Sequence, residues 1–464
     1  MLFSSIPFLY TFLPCVLILY FLVPGWLKNT VLLLSSLFFY AWGEPRFVVF
    51  MVIAIVQGYV FGLLAEKFRD RPKRAKLCLW ASAVVSLGLL CYCKYADFFI
   101  SGFNTLTGLS LPLLHVALPI GISFYTFQIL SYVIDVYRRD ARVQKNIAAF
   151  GTYVTLFPQL IAGPIVRYAD VDDQLRERTH SLTLFASGCR TFICGLAKKI
   201  LLANAAGAMW NSLSAAAEPD ALGAWLAIVF YTFQIYFDFS GYSDMAIGLG
   251  KMFGFSFREN FYYPYVSESI TEFWRRWHIS LSTWFREYVY IPLGGNRRGV
   301  GRTYFNLFCV WLLTGLWHGA SWNFVLWGLY YFALLVIEKT FLLRLLERAP
   351  KFLRHIYSMA AVIFGWLLFV IEDVFSIGAY LSRMFGGTGV FATQITVYEL
   401  VRNLVFLAIL ILASTPAPKK LWYKLYSKGT PWRIVQSVVC AIAFVLCIAY
   451  LVDSSYNPFL YFRF

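Results

Sequence analysis

The chain has 464 residues, of which 60% are hydrophobic and 14% are charged, and its formal net charge is +16. Soluble proteins are about 45–50% apolar and about 25% charged, so this composition excludes an ordinary soluble enzyme, a disordered chain and a disulfide-rich secreted domain. An all-α polytopic membrane protein remains, because a helix satisfies its own backbone hydrogen bonds in lipid. We expect one integral-membrane domain over residues 1–464 with about 10–12 spanning helices, since a span needs about 20 apolar residues.

The first part of the chain predicts a span and a cytoplasmic loop. Residues 7–24 are apolar and precede Lys28, the first basic residue, which favours an N-terminus outside the cytoplasm. The stretch 66–76 is rich in Lys and Arg and predicts a cytoplasmic loop. The positive charge is explained by this bias and by anionic membrane lipid, with a nucleotide-bearing acyl donor as the alternative. Nucleic acid is not an expected partner, because the basic residues are scattered between apolar segments.

Breaks and charges in the apolar segments between residues 116 and 251 indicate a polar cavity. The prolines and glycine of Pro158–Pro164 predict interrupted or re-entrant backbone, which is tolerated at membrane depth only where it is buried or lines a cavity. Asp238 and Asp244 lie in an apolar run, and Arg167 follows the interrupted segment. We expect these three residues to support the cavity wall through ion pairs or hydrogen bonds, with proton relay as the alternative.

The stretch 260–300 predicts amphipathic helices at the membrane interface. At about 100° per residue, Trp274, Trp277 and His278 fall on an apolar arc, opposite the charged residues of 271–288. The charged face is too polar for a span. We therefore expect a helix over 271–288 that lies along the membrane boundary or folds into it, with His278 directed into the protein.

His318 is the strongest candidate for a chemical role. It lies in the apolar run 304–336, and an ionisable side chain within a span marks a functional site. Imidazole titrates near neutral pH, so it is suited to accept a proton from a reacting group. Trp317 and Asn323 in the same stretch are expected to support the site. A structural interhelical hydrogen bond is the alternative role of His318.

Common motifs for catalysis and metal binding are missing from the sequence. It contains no nucleophile elbow, P-loop, dinucleotide fingerprint or zinc-binding His-Glu-x-x-His. The nine cysteines lie in or beside apolar runs, so we predict neither a disulfide nor a metal site. An enzyme of this kind would use His318 to activate a hydroxyl group, while a carrier delivers the acyl group. His278 would orient the substrate or hold an oxyanion.

The end of the chain predicts a last span and a short tail. Residues 434–452 are apolar, and a basic cluster between Lys419 and Arg433 precedes them. This charge distribution places the tail of residues 453–464 on the extracytoplasmic side.

Taken together, these stretches resemble the membrane-bound O-acyltransferase (MBOAT) family, specifically its branch of alginate O-acetylation membrane proteins. The resemblance covers essentially the whole chain. The matching stretches are Leu118–Tyr125, Phe157–Pro164, Tyr236–Gly250, Glu272–Trp284, Leu293–Asn296, Gly315–Gly319, Met1–Ser5 and Pro458–Phe464.

The resemblance implies a ring of tilted spanning helices around a thinned centre with a tunnel. It implies transfer of an acyl group, with acetyl favoured, from a cytoplasmic donor such as acetyl-CoA or an acyl carrier towards an exported polysaccharide, without a permanently bound cofactor. His318 matches the family's essential histidine, and His278 matches its second motif histidine. An extracytoplasmic acyltransferase partner and a bacterial inner-membrane location are also implied. The branch includes D-alanyl transfer to a cell-wall polymer, so the acyl group and the acceptor stay open.

The aromatic end of the tail suggests an acyl relay. In the D-alanyl system a similar ending occurs on a separate membrane peptide. Tyr461 could accept the acyl group with His318 as base and pass it to an extracytoplasmic partner, because a phenol ester is a reactive carrier. The alternative is an aromatic anchor, with Arg463 held at the membrane interface.

Two non-enzymatic functions are the competing hypotheses. Interrupted helices and buried charges also fit an exporter for polysaccharide or lipid-linked sugar, although transporters often have an internal pseudo-symmetry that this sequence lacks. A scaffold that docks a separate transferase is the other possibility. Replacing His318 by Ala would distinguish an enzyme from an exporter and from a scaffold. An enzyme would lose acylation while polymer export continues.

Overall fold

The protein is described by a computed structural model over residues 1–160, 163–453 and 459–460, and this part of the chain contains helices and no strand. The all-α prediction is thereby confirmed. The α-helices are α1 (Leu13–Leu22), α2 (Lys28–Gly43), α3 (Val48–Lys67), α4 (Pro72–Thr107), α5 (Ile122–Arg138), α6 (Ile147–Thr155), α7 (Phe157–Leu160), α8 (Tyr168–Arg176), α9 (Leu182–Ala197), α10 (Asn204–Ser214), α11 (Ala221–Met252), α12 (Ile270–Arg276), α13 (Ile279–Phe285), α14 (Val300–His318), α15 (Trp322–Ile337), α16 (Leu343–Arg348), α17 (Lys351–Val370), α18 (Val374–Met384), α19 (Gln394–Ala413), α20 (Ala417–Tyr426) and α21 (Thr430–Asp453). The chain divides into two compact units, residues 1–192 with 242–259 and residues 193–241 with 260–464.

The length and hydropathy of the helices identify a polytopic membrane protein. Seven helices of the described chain are long and apolar enough to cross a membrane: Pro45–Lys67, Pro72–Thr107, Leu182–Ser214, Ala221–Met252, Lys351–Val370, Gln394–Ala413 and Thr430–Asp453. The sequence predicted about 10–12 spans, and the difference arises because other apolar segments fold as shorter helices. The segment 116–137, for example, begins without helix, and α5 starts only at Ile122, after Pro119 and Gly121.

In the first unit, close backbone packing depends on glycine. Helix α3 packs against α4 and α5. A Cβ atom at Gly62 would lie within 2.4 Å of the Tyr132 ring on α5, so only glycine permits this approach. The predicted interruption at 158–164 is confirmed by the described residues, since α7 ends at Leu160 and residues 163–167 are not helical.

In the second unit, the core between α12, α14, α15 and α17 is aromatic. Helices α14 and α15 pack against each other, α15 packs against α17, and the short α12 contacts both α15 and α17. Fully or almost fully buried rings fill the space between these helices. They are Trp274, Trp277, Trp317, Trp327, Tyr331 and Trp366.

The expected continuous helix over 271–288 is wrong. Helix α12 ends at Arg276, Trp277 is extended, and His278 has left-handed backbone (φ 44°, ψ 55°) before α13 begins. A hydrogen bond outside the helix accompanies this break. The backbone N–H of Ile279 donates to the carbonyl oxygen of Asn260 over 2.9 Å, and not to a carbonyl oxygen of α12. The prediction that His278 faces the protein interior nevertheless holds, since its side chain is 1% exposed.

Candidate active site

His318 is the last residue of α14, at a sharp turn between two closely packed helices. Residues 319–321 leave the helix, and α15 begins at Trp322. A Cβ at Gly315 would lie 2.3 Å from the backbone oxygen of Phe324, and one at Gly328 would lie 2.4 Å from that of Trp311. Glycine at both positions therefore lets the backbones of α14 and α15 touch, and this contact places His318 over the start of α15.

Aromatic rings surround the His318 side chain, which is 6% exposed. The ring centroids of Trp327 and Phe369 lie 4.9 and 5.2 Å from that of His318, both edge-on, and the Trp317 centroid lies 5.1 Å away. Such edge-on pairs each contribute about 0.5–1.5 kcal/mol beyond their buried area. The imidazole is therefore held by apolar packing on several sides.

Asn323 supports this arrangement from α15. Its side chain is fully buried, and its Nδ2 donates to the carbonyl oxygen of Phe369 over 3.1 Å, at the end of α17. The hydrogen bond ties the beginning of α15 to the residue whose ring packs against His318. The geometry agrees with the predicted supporting role, which stays a prediction as regards activity.

His278 is held by hydrogen bonds at its backbone break. The Oδ1 atom of Asn260 accepts from the backbone N–H of Ser280 at 3.1 Å and from the Ser280 hydroxyl at 2.9 Å, so it is the amide oxygen that faces this side. The His278 Nδ1 lies 3.2 Å from the same oxygen. Because the oxygen can only accept, Nδ1 carries the proton and Nε2 keeps a lone pair.

The His278 ring is neutral in this environment. Burial lowers the pKa of His278 to about 3, because the charged imidazolium is disfavoured away from water. Its Nε2 is buried and has no hydrogen-bond partner among the residues that the structure describes. A neutral imidazole with a fixed tautomer and a bare nitrogen can accept a hydrogen bond or a proton from a substrate.

Trp317 connects the two histidines. Its ring centroid lies 5.1 Å from that of His318 and 5.9 Å from that of His278. The side chain is 3% exposed. The two histidines for which the sequence predicts a chemical role therefore contact one shared tryptophan, and their joint role in catalysis stays a prediction.

Glu338 orients the short helix that leads to His278. Its buried carboxylate accepts from the backbone N–H groups of Ile270 and Thr271 at 2.6 and 2.8 Å, at the first turn of α12. A negative charge at a helix N-terminus is favourable because it faces unpaired N–H groups. Trp274 of the same helix then packs edge-on against Trp327, at 5.5 Å between centroids.

Several buried polar atoms near the histidines lack a hydrogen-bond partner within the described ranges. Besides His278 Nε2, they are Asn260 Nδ2, Trp274 Nε1, Asn323 Oδ1, Trp327 Nε1 and Tyr331 Oη. Buried polar groups are nearly always satisfied in folded proteins, and unsatisfied ones call for a specific explanation. These atoms are therefore candidate contacts for a polar substrate.

Asp238 forms a buried ion pair in the same unit. Its Oδ1 lies 2.5 Å from Nζ of Lys199, and both side chains are almost fully buried. The ring of Phe239, the next residue, packs edge-on against His278 with 4.8 Å between centroids. The ion pair agrees with the expected pairing of Asp238 with a basic residue, and the role of Asp238 in a tunnel wall stays a prediction.

Arg167 and Asp244 belong to the first unit. Arg167 binds both oxygens of Asp170 through Nε and Nη2, at 3.1 and 3.0 Å, and Asp170 also pairs with Arg258. Asp244 is partly exposed. Their contribution to a tunnel wall remains a prediction. Tyr461 lies outside the described residues.

Sequence reasoning missed Asn260, Glu338 and Lys199. No motif or spacing marks Asn260 as the partner of His278, because the two residues meet only through the fold. Lys199 carried a usable signal: a lysine inside the apolar run 184–210 is the same kind of intramembrane charge that singled out Asp238.

Comparison with known proteins gives one consistent result. The sequence model of the MBOAT, membrane-bound O-acyltransferase family matches residues 138–381. The chain is 40% identical to a protein of Pseudomonas putida named a probable alginate O-acetylase AlgI, over the full length of both chains. The homologue of that name in Azotobacter vinelandii is 45% identical over 81% of this chain and 76% of its own length. A peptidoglycan O-acetyltransferase of Helicobacter pylori is 33% identical over 84% of this chain and 81% of its own.

Proposed function

Because this chain belongs to the membrane-bound O-acyltransferase family and is an O-acyltransferase, we propose that it moves an acetyl group from a cytoplasmic donor across the membrane for O-acetylation of an exported polysaccharide. The observation that supports a reaction in this chain is the pair of buried histidines in contact with Trp317. The relatives named for O-acetylation of alginate and of peptidoglycan support acetyl as the group and a glycan as the acceptor.

The proposed step transfers the acyl group from the donor directly to a hydroxyl group. The imidazole of His318 takes the proton of an incoming hydroxyl group while the hydroxyl oxygen forms a bond to the carbonyl carbon of the donor. The carbon–sulfur bond of a thioester donor then breaks, and the departing thiolate takes the proton from the imidazolium. His278 orients the reacting groups, because its fixed tautomer leaves Nε2 free to accept a hydrogen bond from the hydroxyl.

Donor, partner and location follow from the same proposal. Acetyl-CoA or an acyl carrier protein supplies the acetyl group on the cytoplasmic side, and an extracytoplasmic acyltransferase completes transfer to the polysaccharide. The protein resides in the bacterial inner membrane, in contact with anionic lipid. The abundance of basic residues agrees with a cytoplasmic surface that attracts such lipid or an anionic donor.

Tyr461 is proposed as the acyl relay of the C-terminal tail. The hydroxyl group of Tyr461 is the acceptor in the step above, and the phenol ester then passes the acetyl group outward. Mass spectrometry of the C-terminal peptide, after addition of donor without acceptor, is expected to detect acetylated Tyr461. If only unmodified peptide is found while donor is consumed, Tyr461 serves as an interface anchor and the relay is wrong.

The function is tested with purified protein in lipid nanodiscs, with donor, polysaccharide and partner supplied. We expect His318→Ala to abolish acetyl transfer while polymer export in cells continues. The matched control is His180→Ala, an exposed histidine of the first unit. If the variant blocks export, the exporter hypothesis is correct. If it leaves transfer unchanged in an assembled complex, the protein is a scaffold.

The donor group is tested in the same assay. Supplying D-alanyl and acetyl donors separately is expected to give transfer of acetyl alone. Transfer of D-alanine in place of acetyl would overturn the choice of acyl group and would leave the role of His318 intact.

A further inference from the structure

The buried Lys199–Asp238 pair has a third partner, the chain's own C-terminal segment. Asp238 uses Oδ1 for Lys199, and its Oδ2 accepts the backbone N–H of Leu460 at 2.9 Å. The Phe459 ring is 1% exposed, and the Lys199 ammonium lies 4.6 Å from its centroid. The two members of the ion pair therefore contact two consecutive residues of the segment, Lys199 the ring of Phe459 and Asp238 the backbone of Leu460.

The chemistry of the pair suits a peptide ligand. A carboxylate that is bound on one oxygen by lysine still has acceptor capacity on the other, which a backbone N–H satisfies as a charge-assisted hydrogen bond. An ammonium group that is removed from water gains from an aromatic face within about 6 Å. Burying an ion pair costs free energy unless its remaining lone pairs and protons also find partners. The segment supplies one contact to each of the two charges.

The pair also lies beside the candidate active site. Asp238 immediately precedes Phe239, whose ring packs against His278 at 4.8 Å between centroids. The segment that binds Asp238 is therefore attached to α11 at the residue next to Phe239, which contacts His278.

We propose that Lys199 and Asp238 form an intramolecular peptide-binding site that docks Phe459 and Leu460 and thereby positions the C-terminal segment for acyl transfer. Lys199 and Asp238 are positioning residues in this scheme. Docking stands on the contacts of residues 459 and 460 alone. The effect on transfer rests on the proposed function.

Docking is tested on the full chain in nanodiscs by the rate at which carboxypeptidase releases Phe464. Leu460→Pro removes the donated N–H, and Phe459→Leu removes the ring over Lys199. We expect each to accelerate release by about tenfold, since a hydrogen bond to a charged group or a cation–π contact contributes roughly this factor. Phe459→Tyr keeps the ring and is expected to release Phe464 at the wild-type rate, as is the control Val452→Ala at an exposed position of α21.

Equal release rates in wild-type, Leu460→Pro and Phe459→Leu would overturn the docking site, as would equal acceleration by Phe459→Leu and Phe459→Tyr. In the transfer assay, we expect the docking variants to lower kcat by about tenfold without changing the donor KM. A protected C-terminus in a protein whose transfer does not depend on His318 would support docking and contradict the proposed function. Transfer that depends on His318 but is unaffected by loss of docking would overturn the positioning role.

Discussion

His318 and His278 both pack against Trp317, and the backbone holds them in different ways. His318 ends a regular 19-residue helix, and glycine contacts between α14 and α15 set its place. His278 has strained left-handed backbone between two seven-residue helices, and polar contacts to Asn260 and Ser280 hold it. Left-handed backbone is costly for a residue with a Cβ, and such strain is concentrated at functional sites.

The two catalytic candidates therefore depend on different forces, although both belong to one site. Shape should dominate at His318, where a single added methyl group would prevent helix contact. Hydrogen bonding should dominate at His278, where a single amide sets both the tautomer and the turn. Substitutions that affect shape alone or hydrogen bonding alone can therefore separate the two.

The largest effect is expected from Gly315→Ala. The added Cβ would lie 2.3 Å from a backbone oxygen of Phe324, which cannot move without α15. We expect a loss of stability at the upper end of the roughly 1–3 kcal/mol seen for overpacking, together with loss of acyl transfer. Thermal unfolding in detergent and the transfer assay measure both. Gly301→Ala in the same helix has open space around the new Cβ and serves as control; equal behaviour of the two variants would contradict the role of shape.

Asn260→Ala is expected to lower kcat by about tenfold to hundredfold, because His278 and Ser280 lose their acceptor. Asn260→Asp keeps an acceptor, and its negative charge raises the pKa of His278, so the acid limb of the kcat profile should move to higher pH. Steady-state kinetics across pH measure both effects. Asn403→Ala, which removes a local helix contact on α19, is the control. An unchanged kcat in Asn260→Ala would show that the tautomer does not matter.

The pH dependence of stability should be traceable to His278. Its pKa is lowered to about 3 in the folded protein, compared with about 6.5 when unfolded. Above about pH 6.5 both states are neutral and the full stability is present, whereas at lower pH only the unfolded state gains the proton. At about pH 5 the loss should be about 2 kcal/mol. In thermal unfolding, the stability of His278→Gln should lack this part of the decline at low pH, whereas that of the control His355→Gln should retain it. Parallel curves of stability against pH for wild-type and His278→Gln would refute the assignment.

The smallest effect is expected from Glu338→Gln, which tests the support of α12. One amide oxygen remains to accept an N–H group, but the second acceptor and the negative charge at the helix N-terminus are lost. We expect about 1 kcal/mol lower stability and a modest decrease in transfer. The exposed Glu347→Gln is the control in both measurements. Loss of transfer as large as that of Asn260→Ala would mean that helix position, and not the tautomer, governs His278.

How much the sequence could predict varies between these elements. The sequence alone identifies His318, because a histidine in a long apolar run is conspicuous. The burial of His278 followed from helical periodicity, although the continuous helix that was assumed is broken at that residue. Periodicity over short amphipathic stretches cannot detect such a break, because a left-handed residue leaves the polar and apolar pattern almost unchanged.

Composition and hydropathy alone determined that this is a helical membrane protein, and motif resemblance pointed to its family, because both depend on local sequence. The partners Asn260 for His278, Lys199 for Asp238 and Leu460 for that same carboxylate were decided by the tertiary structure. The physical reason is that hydrogen bonds and ion pairs act over a few ångströms, and residues separated by up to 222 positions in the chain come within that range only after the helices pack.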